Sequence, residues 1–108
     1  MYPPTLKVYG GQMIKLDTFK LQVVKKKRKA SLTPNEYRIL FLLHHLESVT
    51  GQELAKELET TPHQIKTHVC NLNDKLEVVG SKRLRTEPSG ANVQYLVTEN
   101  IRLVHKFS

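Results

Sequence analysis

Apolar residues recur at helical spacing in residues 61–76. They follow one another at steps of four, three and four: Ile65, Val69, Leu72 and Leu76. Because an α-helix turns once every 3.6 residues, this spacing predicts a helix over residues 62–76 with one narrow buried stripe. The positions between are mostly short polar or hydrogen-bonding side chains: His63, Gln64, Lys66, Thr67, His68, Cys70, Asn71, Asn73 and Asp74. An ordinary amphipathic surface helix is one interpretation, and an outer face that contacts a partner is the other.

The pattern Thr-x-x-Glu/Gln occurs before three apolar helical runs, as Thr33 to Glu36, Thr50 to Glu53 and Thr61 to Gln64. This is the capping-box signature of a helix start. It predicts a first helix over residues 34–46, a second over 52–58 and a third over 62–76. The first carries too many apolar residues for one stripe, so we expect it to be the central core helix. They are Tyr37, Ile39, Leu40, Phe41, Leu42, Leu43 and Leu46. The short connection before Thr61 predicts a steep crossing, which is a helix-turn-helix.

Strands are predicted on both sides of the helices. Before them, residues 6–31 alternate apolar and polar side chains and indicate short antiparallel strands. The apolar positions are Leu6, Val8, Ile14, Leu16, Phe19, Leu21 and Val23. The basic run from Lys25 to Lys29 follows the third of these strands. It is either a solvated hairpin that keeps a sheet edge from pairing or a surface facing phosphate.

After the helices, residues 84–97 predict a two-stranded hairpin. Its turn is expected at the Pro-Ser-Gly sequence of residues 88–90, and the second strand alternates Val93, Tyr95 and Val97 with Gln94 and Leu96. A hairpin placed directly after the third helix occupies the position of the wing in winged helix-turn-helix proteins. The predicted fold class is therefore α+β, with an N-terminal antiparallel sheet, three helices and a C-terminal β-hairpin wing. Residues 99–108 carry no clear pattern.

Composition limits the classes of protein that fit. The 108 residues with a 39% hydrophobic fraction predict one domain over residues 1–108 with a modest core. Residues 1–5, with Tyr2-Pro3-Pro4, are typical of the end of a linker, so we expect the natural protein to extend upstream. No apolar stretch is long enough for a membrane span and no secretory signal is present, which predicts a cytoplasmic protein with no membrane partner.

The formal net charge is +7, which favours an anionic partner. All of this excess lies in residues 1–31, which hold eight Lys or Arg against Asp17, whereas the remaining 77 residues hold nine basic and nine acidic side chains. Net charge therefore does not by itself identify the helical half as a nucleic-acid binder. The local arrangement of its side chains has to do so.

Several motifs together resemble the effector domain of OmpR/PhoB-type response regulators. They are Leu32-Thr33-x-x-Glu36-Tyr37-x-x-Leu40, His68-Val69-x-x-Leu72-x-x-Lys75-Leu76, and Arg85-Thr86 followed by Gly90 and Tyr95-Leu96-Val97. The resemblance spans nearly the whole chain. It implies a four-stranded sheet, three helices and a wing that bind double-stranded DNA at tandem half-sites to control transcription.

The same resemblance implies a homodimer on those tandem sites in the full-length protein, RNA polymerase as a further partner, and a receiver domain upstream, which these residues do not include. The sequence departs from the family in three places. The family usually has a longer loop between helices two and three, implicated in touching RNA polymerase, where this chain has a tight turn. Asn71 and Asn73 stand where many members have arginines, and the wing turn lacks an arginine near its tip.

The middle of the chain also resembles the recognition helix of LuxR-type regulators, through Ile65-Lys66-Thr67-His68-Val69-x-Asn71-Leu72-x-x-Lys75-Leu76-x-Val78. That fold has four helices with neither an N-terminal sheet nor a wing, so the predicted strands favour the winged fold. Both resemblances imply a helix in a DNA major groove. A winged-helix module that binds protein is a further alternative, because the helical half is neutral and its third helix is rich in asparagine.

Roles follow from position on the third helix and near the wing. The residues expected to read base edges are Lys66, Thr67 and Asn71. Those expected to contact phosphate or backbone are His63, Gln64, His68, Lys75, Lys82, Arg83 and Arg85. The wing positions are Ser89, Gly90 and Asn92. His63, His68 and Cys70 are five and two residues apart, which does not suit zinc ligands on a helix. We expect no metal, no cofactor, no catalytic residue and no enzymatic activity.

Overall fold

The computed structural model describes residues 13–17 and 20–104 of the chain. The helices are α1 Pro34–Leu46, α2 Gly51–Glu57 and α3 Pro62–Val78. The strands are β1 Met13–Asp17, β2 Gln22–Lys25, β3 Arg28–Ser31, β4 Ser48–Thr50, β5 Arg85–Ser89, β6 Asn92–Leu96 and β7 Asn100–Val104. None of the described helices is long and apolar enough to cross a membrane. The expected strand at Leu6 and Val8, and the residue Phe19, lie outside the described residues.

The three predicted helices are confirmed, with α1 at the predicted bounds. The hydroxyls of Thr33 and Thr50 accept hydrogen bonds from the third helical amide, and the Glu side chain there accepts from the threonine amide, which completes both capping boxes. At α3 the Thr61 hydroxyl accepts from the amide of Gln64. The predicted return bond from the Gln64 side chain is absent from the contacts of the described residues. The amide oxygen of Gln64 is neutral and accepts a weaker hydrogen bond than a carboxylate, so this return bond is less favourable than those at Glu36 and Glu53.

The larger sheet has the strand order β3-β2-β1-β7. Its first three strands are antiparallel, whereas β7 pairs parallel with β1, with Ile101 opposite Ile14 and Leu103 opposite Leu16. Neither β3 nor β7 was predicted. The basic run begins at the last residue of β2, as predicted, and continues through a two-residue turn at Lys26 and Lys27 into the edge strand β3. The expectation of a hairpin at a sheet edge is therefore confirmed, and a surface facing phosphate stays a prediction.

The second sheet has the order β4-β6-β5 and contains the predicted hairpin. Strand β4 was not predicted, because three residues between two helices carry no pattern of their own. The hairpin turn consists of Gly90 and Ala91, so Pro88 and Ser89 belong to β5, opposite Val93 and Asn92, and not to the turn as predicted. Gly90 has a φ of 64°, a conformation that glycine adopts without steric cost. This hairpin, residues 84–97, is the wing.

The core lies between the helices and the inner face of the larger sheet. Leu16 and Val23 from the sheet, Leu40 from α1, Leu54 from α2 and Leu72 from α3 are completely buried. The predicted burial of α1 holds for Ile39, Leu40 and Leu43, and partly for Tyr37, Phe41 and Leu42. Leu46 was wrongly counted with them, since it is 55% exposed at the last position of the helix.

Candidate nucleic-acid interface

The outer face of α3 is open to solvent. All four residues of its predicted stripe are buried: Ile65, Val69, Leu72 and Leu76. The exposed positions are Pro62, His63, Gln64, Lys66, Thr67, Cys70, Asn71, Asp74, Glu77 and Val78. The hydroxyl of Thr67 donates to the carbonyl of His63 at 3.4 Å. The helix thus presents both hydrogen-bond donors and hydrogen-bond acceptors to solvent along its first three turns.

Asn73 is the one residue assigned to the outer face that the structure buries, and the assignment was wrong. Its side-chain oxygen accepts a hydrogen bond of 2.8 Å from the backbone amide of Leu84, the residue just before β5. Asn73 follows Leu72 and precedes Leu76 by three positions, so helical geometry places it at the border of the buried stripe. An amide side chain is tolerated there because the hydrogen bond satisfies it. This contact fixes the start of the wing to α3.

Lys75 pairs with a buried carboxylate. Its ammonium lies 2.6 Å from Oε1 of Glu36, and the Glu36 side chain is only 2% exposed whereas that of Lys75 is 32% exposed. The same Glu36 oxygen accepts from the backbone amide of Thr33. Lys75 therefore neutralises the carboxylate that caps α1 and ties the two helices together. Its expected contact with phosphate stays a prediction, and it would compete with this pair.

His68 also faces α1. Its Nε2 lies 3.3 Å from the side-chain nitrogen of Asn35, and both residues are half-buried. As a hydrogen bond, this contact has the Asn35 amide donating to Nε2, with the ring proton on Nδ1. His68 thus lies at the border between the packed and the open sides of α3, while His63 near the start of the helix is exposed.

The cations just before the wing and at its start are exposed. Arg83 lies 3.1 Å from Glu77 and Arg85 lies 2.7 Å from Glu87, and each arginine side chain is more than half exposed. Ion pairs in that setting are each worth roughly 0 to 1 kcal/mol. The arginines can therefore leave their carboxylates for another anion at little cost. Lys82 is exposed and forms no ion pair within residues 13–17 and 20–104.

The wing is anchored to α2 as well as to α3. The side-chain nitrogen of Asn92 donates to Gln52 near the start of α2 at 3.4 Å. Strand β6 pairs with β4, and a Cβ atom built on Gly51 would meet the ring of Tyr95 at 3.5 Å. Tyr95 is 3% exposed, and its burial raises the pKa of the phenol above its ordinary value. The predicted wing positions Ser89 and Asn92 are half-buried, and Gly90 at the tip is exposed.

A buried ion pair holds the segment after α3 from the other side. The ammonium of Lys25 lies 2.9 Å from Glu99 and donates to the carbonyl of Gly80 at 2.9 Å. The hydroxyl of Ser81 donates to the second Glu99 oxygen at 2.8 Å. No sequence pattern indicates this cluster, because its members are far apart in the chain. Together with the Asn73 contact, it fixes the segment between α3 and β5 at both of its ends.

Within the described ranges, no three His, Cys, Asp or Glu side chains come together in a way that could hold a metal ion. The structure brings together the residues predicted to read bases, Lys66, Thr67 and Asn71, on the exposed part of one helix. It places Lys82, Arg83 and Arg85 at the base of the wing, beyond the end of that helix. These two groups are joined by the rigid segment described above.

The structure is similar to a solved structure, the crystal structure of the DNA-binding domain of response regulator AdeR in complex with an intercistronic region. The TM-score is 0.65 and the sequence identity is 26%, over 87% of this chain and 99% of that chain. No protein-family model and no curated protein matches the sequence. AdeR is an OmpR/PhoB-type regulator. The chain thus has the winged helix-turn-helix fold of an OmpR/PhoB-type response-regulator DNA-binding domain, as its sequence motifs predicted.

Proposed function

We propose that the chain is the sequence-specific, double-stranded DNA-binding domain of a transcription regulator, with α3 in the major groove and the wing near the backbone or minor groove. The observation that carries the proposal is the division of α3 into two sides. Its inner side is buried and tied by Glu36 to α1 and by Asn73 to the wing. Its outer side is exposed and polar. The similarity to AdeR supports this proposal.

The dimensions of α3 suit a major groove. The groove is about 12 Å wide, and a helix with its side chains is about 10 to 12 Å across. Between Lys66 and Asn71 the axis advances about 7 Å at 1.5 Å per residue, which is about two base-pair steps of B-DNA. We assign base reading to Lys66, Thr67 and Asn71, because asparagine suits adenine, lysine suits guanine and the threonine methyl suits thymine.

Phosphate contacts fall to the residues around that face. We assign them to His63, Gln64, His68, Lys82, Arg83 and Arg85, with Lys75 contributing only where its pair with Glu36 opens. The exposed pairs of Arg83 and Arg85 favour this role, since a phosphate can replace a carboxylate partner in a bidentate contact. Residues Ser89, Gly90 and Asn92 form the part of the wing that approaches the backbone. From the family resemblance, two copies on tandem half-sites and contact with RNA polymerase belong to the same proposal.

Binding to a protein partner is the second candidate, favoured by one observation. Residues 32–108 carry no net charge, whereas most DNA-binding surfaces are basic. The two candidates differ in their response to salt, because contacts with phosphate release counterions. With about four to six phosphates neutralised, the logarithm of DNA affinity falls with the logarithm of salt at a slope of roughly −4 to −5.

The test begins with selection of bound duplexes from a random DNA pool, followed by titrations of the selected duplex and a random duplex. Asn71→Ala is expected to lose about 1 to 3 kcal/mol on the selected duplex and little on the random one, because only base contacts discriminate sequences. Replacing Lys82 and Arg83 by alanine should weaken both duplexes alike. A chain that enriches no sequence contradicts the proposal, and equal losses for Asn71→Ala on both duplexes contradict the assignment of base reading.

A further inference from the structure

The turn between β2 and β3 and the first two residues of β3 carry four consecutive cations that project into solvent. Lys26, Lys27, Arg28 and Lys29 are all exposed, in contrast to Lys25, which is buried and paired with Glu99. All ten acidic residues of the chain lie in the described part. None of them forms an ion pair with these four side chains. The hairpin therefore has an uncompensated charge of four within four consecutive residues.

The strand register separates these cations by face. Arg28 stands opposite Lys25, and Ala30 stands opposite Val23. Since directly opposed residues share a face, Arg28 lies on the side of the sheet that packs against the helices. Lys29 stands opposite Val24, which in turn stands opposite Lys15 on β1. Lys29 and Lys15 thus lie on the outer face.

The inner face of this hairpin adjoins the end of α3. Lys25 donates to the carbonyl of Gly80, and the guanidinium of Arg28 lies 3.8 Å from the position of a Cβ built on Gly80. Strand β3 packs against α3. Two residues after Gly80 comes Lys82, a proposed phosphate contact. Cations from two distant parts of the sequence therefore lie near the turn that ends α3.

We infer that Lys26, Lys27 and Arg28 form a second, sequence-independent contact with DNA phosphates, flanking the groove in which α3 lies. This inference rests on the proposed function and extends its footprint to the N-terminal sheet. The duplex carries one negative charge per about 1.7 Å of its axis, so a cluster of unpaired cations beside a bound helix gains by counterion release. Lys29, on the outer face, makes no such contact.

An acidic protein surface is the other kind of partner that four cations attract. Protein interfaces are built around buried aromatic or aliphatic anchors, with charges depleted from their centres. Residues 26–29 include no apolar side chain. A phosphate backbone requires no such anchor, since its recognition is mainly electrostatic. The chemistry of the hairpin therefore favours DNA.

The experiment compares two variants of the full chain that lose the same charge. The hairpin variant carries Lys26→Asn, Lys27→Gln and Arg28→Gln, with asparagine chosen because Lys26 has a φ of 57° and asparagine tolerates that conformation. The control variant carries Lys15→Gln, Lys20→Gln and Lys29→Gln, all at exposed positions. Fluorescence anisotropy with a labelled random 30-base-pair duplex gives the affinity of each at salt concentrations from 50 to 200 mM.

Loss of three phosphate contacts should flatten the salt slope of the hairpin variant by about 2.7. The ratio of the wild-type affinity for DNA to that of this variant would then fall about 40-fold between 50 and 200 mM salt. The control variant should keep a slope within about one contact of the wild type, or 0.9. That difference supports the inference, whereas equal slopes for the two variants overturn it.

The wild type and a Lys82→Ala/Arg83→Ala variant separate this inference from the proposed function. If the wild type binds and the Lys82/Arg83 variant is weakened while the hairpin variant matches the control, DNA binding stands and the hairpin contact is refuted. If the wild type itself binds no duplex at 50 mM salt, the proposed function and the inference both fail. Circular dichroism of each variant confirms that a loss of affinity is not a loss of fold.

Discussion

Replacing Asn73 by alanine removes the acceptor of a buried hydrogen bond. The amide of Leu84, which lies 2.8 Å from Asn73 Oδ1, would be left unpaired in a segment where Leu84 is 7% exposed. An unsatisfied buried donor costs about 1 to 3 kcal/mol. Alanine is the better helix former by up to about 0.7 kcal/mol, which offsets part of this loss. The expected net loss is about 0.3 to 2.3 kcal/mol of the free energy of unfolding.

Asn71→Ala is the matched control, because it makes the same chemical change two positions away at an exposed site. Its stability should remain within about 0.5 kcal/mol of wild type or rise slightly. Urea unfolding followed by circular dichroism measures both. For a domain of this size, each 1 kcal/mol corresponds to a shift of several degrees in Tm, roughly 4 to 8 °C.

Hydrogen exchange tests the same reasoning at a single atom. The amide of Leu84 should exchange slowly in the wild type and in Asn71→Ala, and faster in Asn73→Ala, because its acceptor is gone. The two variants should also differ in DNA binding, since Asn71→Ala alters a base contact and Asn73→Ala loosens the wing. If the Asn73 variant were as stable as the Asn71 variant and Leu84 exchange were unchanged, the structural role assigned to Asn73 would be refuted.

Three further substitutions test the turn, the buried ion pair and the wing. Glu59 in the turn before α3 has a φ of 56°, so Glu59→Gly should raise the free energy of unfolding by about 0.5 to 1 kcal/mol, whereas Glu59→Ala, which keeps the strain, should not. Lys75→Met should cost about 1 to 3 kcal/mol by leaving the carboxylate of Glu36 buried without its cation, and Glu36→Gln added to it should restore part of this loss in urea unfolding. Burial raises the pKa of Tyr95 above its value in the unfolded chain. The contribution of the neutral phenol to the free energy of unfolding is therefore complete below about pH 10, and it declines as the pH rises above that value. Tyr95→Phe should therefore show a smaller fall in urea midpoint between pH 9 and 11 than wild type, and an equal fall would contradict the shift.

The helices could be predicted because their signals are local. Thr33 and its capping partner three residues later define the start of α1, and the apolar spacing defines the faces of α3. Strands β4 and β7 could not be predicted in this way. They are short, and their residues become strands only because partners 40 or more positions away supply hydrogen bonds.

The candidate site was predictable as a helix face but not residue by residue. Helical spacing predicts which side of the helix is buried. It does not predict whether a polar residue at the border of that side is buried or exposed, as Asn73 shows. Charges raise the same difficulty. Lys25 and Lys27 are lysines of the same basic run, and the sequence does not distinguish them. Only Lys25 pairs with a carboxylate, that of Glu99, which is 74 positions away in the chain.

The parallel pairing of β1 with β7 has a consequence for how the protein is made. Strand β1, residues 13–17, pairs with β7, residues 100–104. During synthesis β1 therefore lacks this neighbouring strand until nearly the whole domain has left the ribosome. Contacts so distant in sequence slow folding, because a long loop must close before they form. The helical segment, whose contacts are more local, is free to form first. A nascent chain stalled before residue 100 would therefore expose an open edge of β1, which is a surface on which chaperones act or strands aggregate.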